Sequence, residues 1–190
     1  MNSGDRSRIL IESKITQVYD NVSLRGLGYF VIYIKNYRYG VYSDEATALG
    51  CSFDSIKERI DMRGKHIAQF STEKKPELIA EAVKNALYTD NTLETTFFGI
   101  PINEFSDIIY KNKIIWAPDG DEAFDDGSYI LQFDVDRKVR IIGFKCLDNF
   151  RCDPKTVNEL WIDAKDFYDT LQEWYNGFLN EWKDKVSKLN

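Results

Sequence analysis

An α+β fold with an antiparallel sheet is predicted by three features of this sequence. Two pairs of β-rich segments lie near residues 28–42 and 128–147 and read as hairpins. Between them, apolar side chains recur at helical spacing. After the second pair comes a long amphipathic stretch, so strands and helices are grouped rather than strictly alternating.

The elements follow in order. Residues 7–16 alternate, with Ile9, Ile11 and Ile15 on one side and Arg8, Leu10, Glu12 and Lys14 on the other, which predicts a half-buried strand. Residues 28–35 are β-branched and aromatic, the composition of a central strand. A turn at Asn36-Tyr37 leads into a partner strand at 38–42. Ser52 or Asp54 caps a helix carrying Ile56, Ile60 and Arg63 that stops at Gly64. Residues 72–88 predict a second helix, with Thr72 as N-cap and Pro76 in its first turn, broken by Asp90-Asn91-Thr92. A short helix at 103–111 and a short strand at 113–116 come next. The second hairpin pairs 128–135 with 138–147 around Asp136-Arg137. An irregular stretch then leads to a helix over 163–189, capped by Asp163, with Phe167, Leu171, Trp174, Phe178 and Trp182 on one stripe. Gly177 weakens that helix by about 1 kcal/mol relative to alanine. No linker or repeat divides residues 1–190, which predicts one domain.

Composition narrows the function. The chain has 190 residues, 43% of them hydrophobic and 14% aromatic, enough to bury a core without disulfide or metal staples. Its net charge is −6, which disfavours nucleic acid and anionic membrane and favours neutral or basic partners. Residues 1–115 balance 15 basic with 15 acidic side chains, whereas residues 116–190 carry 10 and 16. The excess charge therefore sits in the last 75 residues. Three cysteines without paired spacing argue against a secreted disulfide framework. The polar N-terminus lacks a signal-peptide core, and no apolar run approaches the roughly 18 residues of a membrane span. A soluble, cytoplasmic protein is expected.

Catalytic groups are scarce. His66 is the only histidine. It follows a helix end in Arg63-Gly64-Lys65-His66, a setting that suits a surface or capping role better than a triad. The Gly-x-Ser-x-Gly elbow is absent. One histidine and scattered cysteines make no zinc knuckle. Cys146 and Cys152, six apart across a strand end, read as small buried or half-buried thiols. Gly26-Leu27-Gly28 lacks the third glycine of a dinucleotide fingerprint and enters a strand rather than leaving one. No cofactor or metal is expected.

The loop 119–127 concentrates functional-looking side chains: Asp119, Asp121, Glu122, Asp125 and Asp126. An EF-hand is excluded, because Phe124 stands where glycine is required and Ile130 where the final glutamate belongs. An irregular carboxylate metal site, a solvated connecting loop and a face for a basic partner all fit. A paired-carboxylate glycosidase site fits less well, since such pairs are normally distant in sequence. Trp116, beside the acids, is a candidate anchor for that partner, whereas the aromatics of the last helix fit a core.

The opening Gly4-Asp5-Arg6-Ser7-Arg8-Ile9, the segment Gly28-Tyr29-Phe30-Val31-Ile32-Tyr33 leading to Tyr39-Gly40, the helix at 51–60, and Val139-Arg140-Ile141-Ile142-Gly143-Phe144 before a final helix resemble the bacterial immunity protein forty-two family. The resemblance implies a protein that binds a cognate toxin and blocks it, and it brings no active-site motif. Two rival readings are a metal-dependent enzyme using the acidic loop and a structural or regulatory subunit of a cytoplasmic complex. Oligomeric state is not legible in the sequence.

Overall fold

The computed structural model describes residues 1–88, 94–146 and 152–189. The expected helix break at Asp90-Asn91-Thr92 and the strand end at Leu147 lie outside the described residues. Strands β1 (Asn2–Gly4), β2 (Ile9–Val18), β3 (Gly26–Ile34) and β4 (Tyr37–Tyr39) form a sheet in that order, and β5 (Thr47–Ala48) also pairs with β3. Helix α1 (Leu49–Asp61) follows. Next come α2 (Pro76–Tyr88), the two-stranded ribbon β6 (Thr96–Phe97) and β7 (Ile100–Pro101), and α3 (Ile102–Lys111). A second sheet has the order β11-β10-β9-β8, from β8 (Ile115–Ala117), β9 (Ser128–Val135), β10 (Lys138–Cys146) and β11 (Cys152–Asp163). Helix α4 (Ala164–Val186) completes the described fold. The fold is α+β with antiparallel pairing throughout, and the two hairpins lie in separate sheets.

The period-2 reading of β2 holds in three dimensions. Ile9, Ile11 and Ile15 enter the large core, while Leu10 joins Tyr29, Val31 and Tyr33 in a small cluster on the other face. The second sheet is covered on both sides. Ile130, Val139, Ile141, Leu160 and Ile162 face the core shared with the first sheet, α1 and α4. Leu131, Phe133, Ile142 and Phe144 face the core built with α2 and α3. Tyr39 joins the sheets. Its hydroxyl donates to the carbonyl of Thr156 at 2.7 Å and accepts from Asn158 Nδ2 at 3.0 Å. A Cβ on Gly143 would stand 2.5 Å from the Tyr39 ring, so glycine is what lets the ring approach β10.

Several boundaries move, each for a physical reason. The first hairpin turns at Lys35-Asn36, where φ is 49° and 70°; two consecutive positive φ values make the two-residue turn whose twist matches the strands. Helix α1 begins at Leu49, not at Ser52 or Asp54. The Ser52 hydroxyl is committed to Asp121 at 2.6 Å and Asp54 pairs with Arg25 at 3.3 Å, so neither caps the helix. Helix α2 begins at Pro76 and not after Thr72; proline suits a first helical position and disfavours helix in the residue before it. The stretch read as irregular contains β11, a 12-residue edge strand. Its polar first half and Pro154 hid it, and an edge strand accommodates both because one side of its backbone pairs with no neighbour. Asp163 caps α4 as expected, accepting from the backbone N–H of Lys165 at 2.8 Å.

Candidate functional site

The acidic loop leaves β8, crosses the first turns of α1 and enters β9. Helix α1 is held under it by Leu49, Phe53 and Ile56, which bury at helical spacing. The loop's centre is pinned by Asp121, which is only 7% exposed. One carboxylate oxygen accepts from the Thr47 hydroxyl and the Ala123 N–H, each at 2.9 Å, and the other accepts from the Ser52 hydroxyl at 2.6 Å. A buried carboxylate is tolerable only when its oxygens are satisfied in this way. Asp121 thereby starts a short 3-10 turn, Glu122–Phe124, whose Ala123 and Phe124 enter the core.

The other expected site residues divide into two groups. Asp119, Glu122 and Asp125 are exposed. Asp126 is half-buried, paired with Lys145 Nζ and accepting from the Ser128 N–H at 3.2 Å. Trp116 is 2% exposed and packs edge-on against Phe167, with ring centroids 6.1 Å apart. The structure therefore seats Trp116 in the core, beneath the loop. Asp121 likewise holds the loop instead of standing on its rim.

Sequence reasoning missed the contribution of α1. Asp54, Ser55 and Glu58 line one depression together with Asp119, Gly120 and Asp121, and the Trp116 ring borders it. The signal was present in the i, i+4 spacing of Asp54 and Glu58, which places both on one helix face. Cys51 borders the same depression, and its thiol is held above its usual range by burial and by Asp121, Asp54 and Glu122. Among the described residues, no group of three or more His, Cys, Asp and Glu side chains is placed to hold a metal ion.

His66 departs from expectation. It is fully buried, with Nδ1 3.0 Å from the carbonyl oxygen of Asn112 and 3.1 Å from that of Lys113. Arg59 lies beside it, Nη1 at 3.4 Å from Nδ1, and donates to the carbonyls of Lys113 and Ile115. These groups tie α1 to β8 and the residues before it. No helix among the described residues is long and apolar enough to cross a membrane.

The family model described as "Immunity protein 42" matches residues 1–177. No curated protein matches the chain. Among solved structures, the crystal structure of CdiI from Burkholderia dolosa AUO158 is similar, with a TM-score of 0.58 at 15% identity, covering 91% of this chain and 97% of that chain. At that identity the likeness is one of fold.

Proposed function

The chain belongs to the immunity protein 42 family, and from its toxin-neutralising role we propose that it acts by binding its cognate toxin stoichiometrically, without catalysis, in the cytoplasm of the cell it protects. The observation that carries the mode of action is the loop itself. Its buried carboxylate, Asp121, is spent on three hydrogen bonds that fix the backbone, leaving Asp119, Glu122 and Asp125 displayed from a rigid support. A preformed charged face lowers the ordering cost of association and selects a partner of opposite sign. Asp54 and Glu58 of α1 border the same depression, paired with Arg25 at 3.3 Å and Lys113 at 3.5 Å.

The partner proposed for this face is a toxin with a basic surface. The carboxylates then occupy positions that a polyanionic substrate would otherwise take. Trp116 contributes from beneath by keeping the loop seated on the core. The test is co-expression with the cognate toxin. Survival of the producing cell and a one-to-one complex on size-exclusion chromatography are expected. Undiminished toxicity with no complex would overturn the reading, and so would protection at a chain-to-toxin ratio far below one, which indicates turnover.

A further inference from the structure

Two of the three cysteines meet at one end of the second sheet. Cys146 is the last residue of β10 and Cys152 the first of β11, and the register places them directly opposite each other. The Cys146 N–H donates to the Gly127 carbonyl at 2.9 Å, on the β9 side. The Lys145 N–H points the other way, to Thr156 Oγ1 at 2.8 Å. The backbone of Cys146 is thus turned from β11, and the two cysteines form a non-hydrogen-bonded cross-strand pair. Such pairs hold their Cα atoms about 4.5 Å apart with side chains close on one face. That lies inside the roughly 4.4–6.8 Å that a disulfide accepts. Both thiols are free, half-buried, and packed against the core built with α2 and α3. Cys152 also borders a surface groove beside α2, lined by Glu81, Lys84, Asn85, Pro154 and Val157, which admits small solutes.

The two sulfurs are not equivalent. The neighbouring Cys152 thiol, then the Lys84 ammonium and the Tyr129 hydroxyl, hold the Cys146 thiol below its usual range against the opposing effect of burial. Cys152, as donor to Cys146 and partly desolvated, is pushed well above that range. The thiolate is the nucleophile in thiol oxidation; the lowered Cys146 thiol is the one drawn as reacting first, with Cys152 directly opposite it in the register to complete the bond.

We propose that Cys146 and Cys152 are a reversible oxidation site, a vicinal thiol pair that hydrogen peroxide converts to an intramolecular disulfide across β10 and β11. The Cys146 thiolate attacks one peroxide oxygen, an S–O bond forms, the O–O bond breaks, and the departing hydroxide takes a proton to become water. Sulfur is oxidised to a sulfenic acid and peroxide is reduced. Cys152 sulfur then attacks Cys146 sulfur, the S–O bond breaks, and the leaving hydroxyl takes the Cys152 proton as a second water. Two thiols and one peroxide give one disulfide and two waters. A dithiol reductant reverses the step by thiol–disulfide exchange. In a reducing compartment the pair rests as the dithiol, as cytosolic redox-sensing cysteines do.

Cys51 supplies an internal control, since it is exposed yet its thiol is held above the usual range. The experiment treats the full chain with hydrogen peroxide, then denatures it, alkylates it with iodoacetamide and weighs it intact. The untreated protein takes up three alkyl groups, one per cysteine. The treated protein is expected to lose two hydrogens and take up one alkyl group, at Cys51, and to regain three after dithiothreitol. Cys51→Ser should lose the same two hydrogens and take up none. With Cys152→Ala, dimedone should trap the sulfenic acid at Cys146. Three alkyl groups after peroxide, a disulfide that peptide mapping places on Cys51, or oxidation of Cys51 ahead of Cys146 would overturn the proposal.

Discussion

His66 and Arg59 share one buried site, where burial and the Arg59 charge disfavour protonation of His66. Arg59 meets two backbone carbonyls and is lowered by burial to about 10, which leaves it charged at neutral pH. His66 is held below its ordinary value by burial first and then by Arg59, against a smaller opposing pull from Asp134 and the Asn112 carbonyl. Its Nδ1–H is assigned from the two carbonyls it faces. For a base lowered on folding, the unfolded chain binds the proton more readily. Stability is therefore full above the unfolded pKa of about 6.5 and falls as pH drops through it toward the lowered native value. Urea midpoints should decline between pH 7.5 and pH 5 in the wild type. His66→Asn, which keeps an N–H for the carbonyls, should flatten that decline even if it lowers the whole curve. An equal slope in both proteins would remove His66 as its source.

At the scale of elements, α4 does more than terminate the fold. Trp174 stacks on Phe178 at 5.0 Å, meets Phe30 edge-on at 5.1 Å, and donates from its indole to Ser13 at 3.0 Å. Trp182 donates to the Tyr19 carbonyl at 3.0 Å. The helix thus spans from β10 and β11 to the first sheet and α1. Leu171, with no exposure, sits in the middle of that interface. Leu171→Ala should lower unfolding free energy by about 2–5 kcal/mol, read from denaturant midpoints. Truncation before Ala164 should abolish cooperative unfolding, because it exposes the inner faces of both sheets. A truncated chain that still melts cooperatively at a similar temperature would make α4 an appendage. Gly177, which weakens the helix on propensity, has only the flexible end of the Met1 side chain beside it, with Sδ 2.8 Å from where a Cβ would stand.

At the scale of the whole molecule, the proposed partner face joins exposed carboxylates to a loop pinned on the core. The −6 net charge arises entirely beyond residue 115, and its densest part rides on a loop anchored to α1 and the core. Rim charges act mainly on association rate, and screening at physiological ionic strength confines them to about 8 Å. Replacing Asp119, Glu122 and Asp125 by Asn or Gln should slow association with the cognate toxin several-fold at low salt. The gap should shrink at high salt, and the melting temperature should hold because Asp121 is untouched. Stopped-flow rates at two salt concentrations decide it, and equal rates would make the loop a solvated connection only.

Local order was set by the sequence wherever burial repeats at a fixed period. Strand β2 follows from alternation, β3, β9 and β10 from runs of β-branched and aromatic residues, and the stripe of α4 and its Asp163 cap from helical spacing and capping chemistry. Tertiary structure decided what depends on partners distant in the chain. Strand β11 exists because β10 offers it a ladder, not because its own residues prefer extension. Asp121 and Trp116 look like exposed site residues in a charged run, yet Thr47, Ser52 and Phe167 draw them inward. Cys146 and Cys152 read as separate small thiols until the register sets them face to face. Periodicity is a property of neighbours in sequence, whereas satisfying a buried carboxylate or aligning two sulfurs requires groups that only folding brings together.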